Sequence, residues 1–62
     1  MHKFDFQGDF FVVIRHCREK SRGRVVKCFD TYASALSYAD SMRKNEEFYR
    51  EHFVWVIDRD RY

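Results

Sequence analysis

No proline occurs in this 62-residue chain, and glycine appears only at Gly8 and Gly23. With so little glycine there is no Gly-rich loop to cradle a phosphate. No stretch approaches the ~20 consecutive apolar residues of a membrane span, and the start, MHKFDFQGD, lacks the apolar run of a secretion signal. Low-complexity tracts and internal repeats are absent too. Cysteine is limited to Cys17 and Cys28, which reads as reduced thiols in a cytoplasmic setting. These two, with His16 and His52, lack the paired C-x-x-C or H-x-x-x-H spacing of a zinc site. No metal or other cofactor is expected. Neither a Ser-His-Asp order nor a convincing carboxylate pair is present. His16 adjoins Cys17, but neighbours on a strand face opposite sides, so no thiol–imidazole dyad follows. The chain does not read as an enzyme.

Aromatic residues, by contrast, are plentiful: seven Phe, four Tyr and one Trp make 19% of the chain. A chain of this length is one domain near the lower limit for unaided folding, and large rings give the most burial per ordered residue. They also exceed what one helix and a small sheet can cover, which points to an apolar patch and a partner. Charged residues are 35% and the net charge is only +2, but the charges are unevenly spread. Arg15, Arg18, Lys20, Arg22, Arg24 and Lys27 stand against Glu19 alone, while Asp40, Glu46, Glu47 and Glu51 lie further on.

Residues 31–44, TYASALSYADSMRK, carry the clearest helical period. At ~100° per residue, Tyr32, Ala35, Leu36, Ala39 and Met42 form an apolar stripe, backed by Ser34, Ser37, Asp40, Ser41, Lys44 and Asn45. Asp30 or Thr31 supplies the N-cap, and Asn45 suits the left-handed residue that ends the helix. Residues 10–17, FFVVIRHC, read as a strand buried on both faces. Residues 19–23 form a turn with Gly23 at positive φ, and 24–29, RVVKCF, the return strand. Residues 46–52 fit a further helical turn or an ordered loop, 53–58, FVWVID, a third strand, and 59–62 a charged tail. Phe4 and Phe6 alternate with polar residues, as either an extra strand or an extended arm over residues 1–9 would.

The expected fold is therefore α+β: one β-β-α-β domain over residues 1–62, with a three-stranded antiparallel sheet in order 2-1-3 and one helix on one face. The crossover rule and the central place this gives FFVVI agree. Taking Arg15, Lys27 and Asp58 as solvent-facing puts Phe11, Val13, Val25, Phe29, Val54 and Val56 on the outer face. Phe10, Val12, Ile14, Val26, Cys28, Phe53, Trp55 and Ile57 then face the helix. Leu36, Ala39, Ile14 and Trp55 should be among the least exposed side chains. The spacing Phe29-x-Thr31-x-x-x-Ala35-x-x-x-Ala39 is a packing motif of strand-to-helix junctions and carries no function.

Two candidate surfaces follow. Phe11, Val13, Val25, Val54 and Val56 form an apolar sheet face for a protein partner or a second copy, unless Phe4 and Phe6, or Phe48 and Tyr49, fold over it. Arg15, Arg18, Lys20, Arg22, Arg24 and Lys27 form a basic hairpin for an acidic groove or nucleic acid. The leading expectation is a small non-enzymatic protein-binding or inhibitory module. Motif-free chains of this size are common among phage and mobile-element products that block host complexes, anti-CRISPR and other anti-defence proteins included, an analogy of size and style. A nucleic-acid-binding accessory protein or a homodimeric regulatory module is the alternative.

Overall fold

A computed structural model describes residues 8–62, so the readings of Phe4 and Phe6 as strand, arm or cover lie outside the described residues. Strand β1 (Phe10–His16) pairs with β2 (Arg24–Phe29) on one side and with β3 (His52–Asp58) on the other. Both pairings are antiparallel and the order is β2-β1-β3, as the sequence predicts. Helices α1 (Tyr32–Arg43) and α2 (Glu46–Glu51) link β2 to β3. The apolar run of β1 takes the centre of the sheet, and Phe11, Val12, Val13 and Ile14 are all buried. Each such side chain contributes about 1.5–3 kcal/mol on leaving water.

Helix α1 starts at Thr31, whose hydroxyl oxygen accepts the Ser34 amide hydrogen at 3.2 Å. Its buried contacts are Ala35 and Ala39, both fully buried. Their small side chains let the helix sit close on Val12, Ile14 and Val54, with Tyr38, Met42 and Phe48 at the margin. The buried stripe is thus 35, 38, 39 and 42, turned toward Tyr38 and away from the expected Leu36, which is only half-buried. Tyr32 stays exposed, its ring edge-on to Phe10 at 5.8 Å. Asn45 does not end the helix in a left-handed conformation. It has φ −80° and caps α2 instead, accepting the Phe48 amide hydrogen. Residues 46–51, read as helical turn or loop, are helical because that cap is in place.

The face assignment needs two corrections. In β2, Val12 pairs with Lys27 and Val13 with Val25, so Val26 is the extra residue of a β-bulge. A bulge shifts side-chain alternation by one. Phe29 therefore joins the helix side, opposite Phe10, while Cys28 lies opposite Phe11 on the outer face. In β3 the phase is reversed throughout. Ile14 pairs with Val54 and Val12 with Val56, which puts both valines in the core under α1. Phe53, Trp55 and Ile57 take the outer face, opposite Arg15, Val13 and Phe11. Asp58 gave the wrong phase because it ends the strand. Its carboxylate accepts the Asp60 amide hydrogen and opens a 3-10 turn, Arg59–Arg61.

The helices also protect a strand edge. Arg43 reaches from α1 to donate to the Val54 carbonyl at 2.7 Å while holding Asp40 at 3.0 Å. Covering an edge carbonyl in this way blunts unwanted strand pairing. Among the described residues no helix is long and apolar enough to cross a membrane.

Candidate functional site

The outer sheet face is built from alternate residues of three strands and closed at one end by the hairpin loop and the last turn. Val13 has no exposed surface and Phe11 only 6%, so neither gives a partner any area. Val25 is half-buried beside them. Of the five residues expected to make an exposed apolar face, two form its buried floor, one its half-covered edge, and Val54 and Val56 lie on the other side of the sheet.

Tyr62 is central to this arrangement. Its ring stands edge-on to Phe11 at 5.8 Å, and its hydroxyl donates to the Gly23 carbonyl at 2.9 Å. The Arg22 guanidinium lies 4.6 Å from the centre of the Tyr62 ring and donates to the Tyr62 main-chain oxygen at 2.7 Å. Gly23, at φ +86°, makes room for the cluster. A Cβ there would lie 2.7 Å from the Ile14 carbonyl oxygen, 2.9 Å from Val13 Cγ1 and 3.0 Å from Trp55 Cη2. The residues read as a charged tail thus close on the turn. Phe48, one of the expected covers, instead stacks on His52 at 4.1 Å on the helix side.

What stays open follows β3. Phe53 is 47% exposed, while Trp55 and Ile57 are half-buried. Together with Arg15, Arg22, Arg61 and Tyr62, Trp55 and Ile57 line a groove of about 350 Å³. The Arg15 guanidinium lies 5.1 Å from the Phe53 ring centre and its Nη1 reaches the Ser21 carbonyl at 3.4 Å. Its Nε is buried with no hydrogen-bond partner. Arg59 adds a fourth guanidinium, 5.9 Å from the centre of the Phe11 ring.

Among the described residues none of these four arginines pairs with an Asp or Glu side chain, and Arg22 is met by the Tyr62 main-chain oxygen. Among the described residues Arg43 pairs with Asp40 at 3.0 Å, and His16 Nε2 lies 3.8 Å from Glu51 Oε1. Glu19, the one acid in the basic stretch, accepts the His16 backbone amide hydrogen at 3.1 Å and is used in the turn. The acidic residues of α1 and α2 lie on the opposite side of the sheet. Arg15, Arg22 and Arg61 thus line one groove with Trp55 and Tyr62, while Asp58 and Asp60 are engaged in the terminal turn.

The basic hairpin does not form a single tip. Arg15 and Arg22 belong to the groove, and Arg18 and Lys20 are exposed in the turn. Arg24 pairs with Ile14 and Lys27 with Val12, which places both on the helix side of the edge strand. Phe53, Trp55, Ile57, Arg59, Arg61 and Tyr62 were not anticipated as site residues. One signal for the β3 residues exists in the sequence: a helix presenting Ala35 and Ala39 to the sheet leaves no room beneath it for a tryptophan. Nothing local marks Tyr62.

Cys17 is exposed in the turn and Cys28 is half-buried toward the other end of the sheet. His16 and His52 pair across β1 and β3, with ring centres 5.2 Å apart. Among the described residues no three His, Cys, Asp or Glu side chains converge on a metal position. Compared with family models, curated proteins and solved structures, the chain has no match in any of the three.

Proposed function

We propose that the protein is a non-enzymatic binding module that docks the β3 side of its outer sheet face on a larger, anionic partner. The observation that supports this is the set Arg15, Arg22 and Arg61 lining the groove with Trp55, with Arg59 beside Phe11, and among the described residues no Asp or Glu side chain pairs with any of them. Arg15, Arg22 and Arg59 lie against rings and, among the described residues, donate only to main-chain oxygens, so an incoming carboxylate, sulfate or phosphate gains charge-assisted hydrogen bonds from their remaining N–H groups. Nothing in this reading requires catalysis, and a cytoplasmic setting with reduced thiols belongs to it.

A protein surface is a partner of this kind as well, since Trp, Tyr and Arg are the residues that dominate protein interfaces. Blocking a larger complex by occupying its surface, the role expected for a phage-type inhibitor, would use the same residues. The test is retention on immobilised heparin, a sulfated polyanion. A variant with Arg22→Ser and Arg61→Ser should elute at clearly lower salt than the parent. Lys44→Ser with Arg50→Ser removes the same charge from the helix side and should elute close to it. Equal losses in the two variants would mean that net charge alone acts and would overturn the proposal.

A further inference from the structure

Resting on that reading, we infer that the anionic partner is single-stranded nucleic acid, with bases stacked on the β3 rings and phosphates held by the arginines. Phe53 and Trp55 are two residues apart on one strand and point to the same face, so their backbone positions are about 6.7 Å apart. That suits an extended strand whose bases are unstacked and offered one per ring. Tyr62 borders the groove with its ring against Arg22, which leaves Phe53 and Trp55 as the stacking rings. Rings on an open sheet flanked by cations form the stacking platform of single-strand binding, because every base has a π-face.

The other occupants fit less well. Duplex DNA presents phosphates but no base faces to a flat sheet, so Phe53 and Trp55 would gain nothing. The exposed side of α1 carries Ser34, Ser37, Asp40 and Lys44, not the basic row of a major-groove helix. An acidic protein would satisfy the guanidinium groups yet has no reason to match the pair of rings. The face also lacks an Asn or Gln: among the described residues the only carboxamide is Asn45, at the start of α2. Base edges are normally read by such groups, so the binding should tolerate sequence.

The chain has a single tryptophan, Trp55, and its fluorescence reports on the groove directly. Titrating the full chain with a 12-residue oligothymidylate should quench it, whereas a 12-base-pair duplex and polyglutamate should quench it little and bind more weakly. Affinity should fall with salt at a log–log slope near −2, about −0.7 for each of three phosphates. Phe53→Ala removes a half-exposed ring and should weaken binding about 5- to 150-fold, as loss of one stacked base does. Trp55→Phe keeps a ring and should retain most of the affinity by anisotropy of a labelled oligonucleotide. The inference fails if duplex or polyglutamate binds as well as the single strand, if Trp55 is not quenched, or if Phe53→Ala is silent. Heparin retention that depends on Arg22 and Arg61 without such quenching would leave the anionic-partner reading standing and remove only the nucleic acid.

Discussion

Gly23→Ala should be the most informative single change. Gly23 has φ +86°, and a non-glycine residue in the left-handed region costs about 1–2 kcal/mol. The new methyl would meet the Ile14 carbonyl oxygen at 2.7 Å, Val13 Cγ1 at 2.9 Å and Trp55 Cη2 at 3.0 Å. The carbonyl belongs to the central strand and cannot yield, and Val13 is fully buried. Overpacking of this type costs about 1–3 kcal/mol. Against this, alanine restricts the unfolded chain and returns about 0.4–1 kcal/mol. The net loss should be about 1–4 kcal/mol. A domain of this length holds roughly 3–9 kcal/mol in all, so the loss is a large part of its stability. Urea unfolding followed by Trp55 fluorescence measures it, and the folded-state emission should shift as the ring is displaced. Gly23→Asn is the control, since asparagine tolerates positive φ but carries the same Cβ. It should remain clearly destabilised. A loss below about 0.5 kcal/mol in Gly23→Ala would show that the hairpin loop does not hold Trp55 against the sheet and would refute the reasoning.

Val54→Glu should unfold the protein, because it buries a charge beneath α1 without a partner. A cooperative, native-like circular dichroism melt for this variant would return Val54 to the outer face. Arg43→Ala should cost about 1–2 kcal/mol in urea, chiefly for the uncovered Val54 carbonyl, whereas Asp40→Ala should cost less than about 1 kcal/mol because that pair is half-exposed. Equal losses would mean that the ion pair, not the edge carbonyl, matters. With a thiol reagent on the folded protein, Cys17 should react at once and Cys28 more slowly, with two thiols counted after unfolding. Equal rates, or a count of zero, would contradict the positions described for them.

The strand order was legible because one segment, FFVVI, is far more apolar than the others and has to be central. The start of α1 was legible to within one residue because Asp30 and Thr31, both good caps, precede a helical period, and Thr31 takes the role. The bulge was not legible. Val25, Val26 and Lys27 fit either alternation, and only pairing with β1 decides which residue is extra. The phase of β3 failed for a different reason. Asp58 was read as marking the solvent face, yet a polar residue at a strand end is often a cap for the next turn, as here. The better guide was volume: two alanines on α1 match two valines on β3, and Phe53, Trp55 and Ile57 are too large for that gap. Tyr62 lay beyond sequence reasoning because its partners, Phe11, Arg22 and Gly23, are each about 40 or more residues away and become neighbours only when both pairings of β1 are formed.

The same contacts bear on how the proposed binding face would be kept ready in so small a domain. Arginine side chains lose about 2 kcal/mol of rotamer freedom when fixed, and most exposed ones meet a partner unordered. Here Arg15 is set by Phe53 and Ser21, and Arg22 by the ring and main chain of Tyr62. The ordering is done during folding, so a ligand that meets these groups loses less entropy on binding. The consequence is a coupling between stability and recognition. Substitutions that loosen Gly23 or Tyr62 should weaken the fold and the affinity together, even though Gly23 has no side chain to offer a ligand. Phe53, which is 47% exposed, is the member of the face whose removal should separate the two effects, lowering affinity with little change in the urea midpoint.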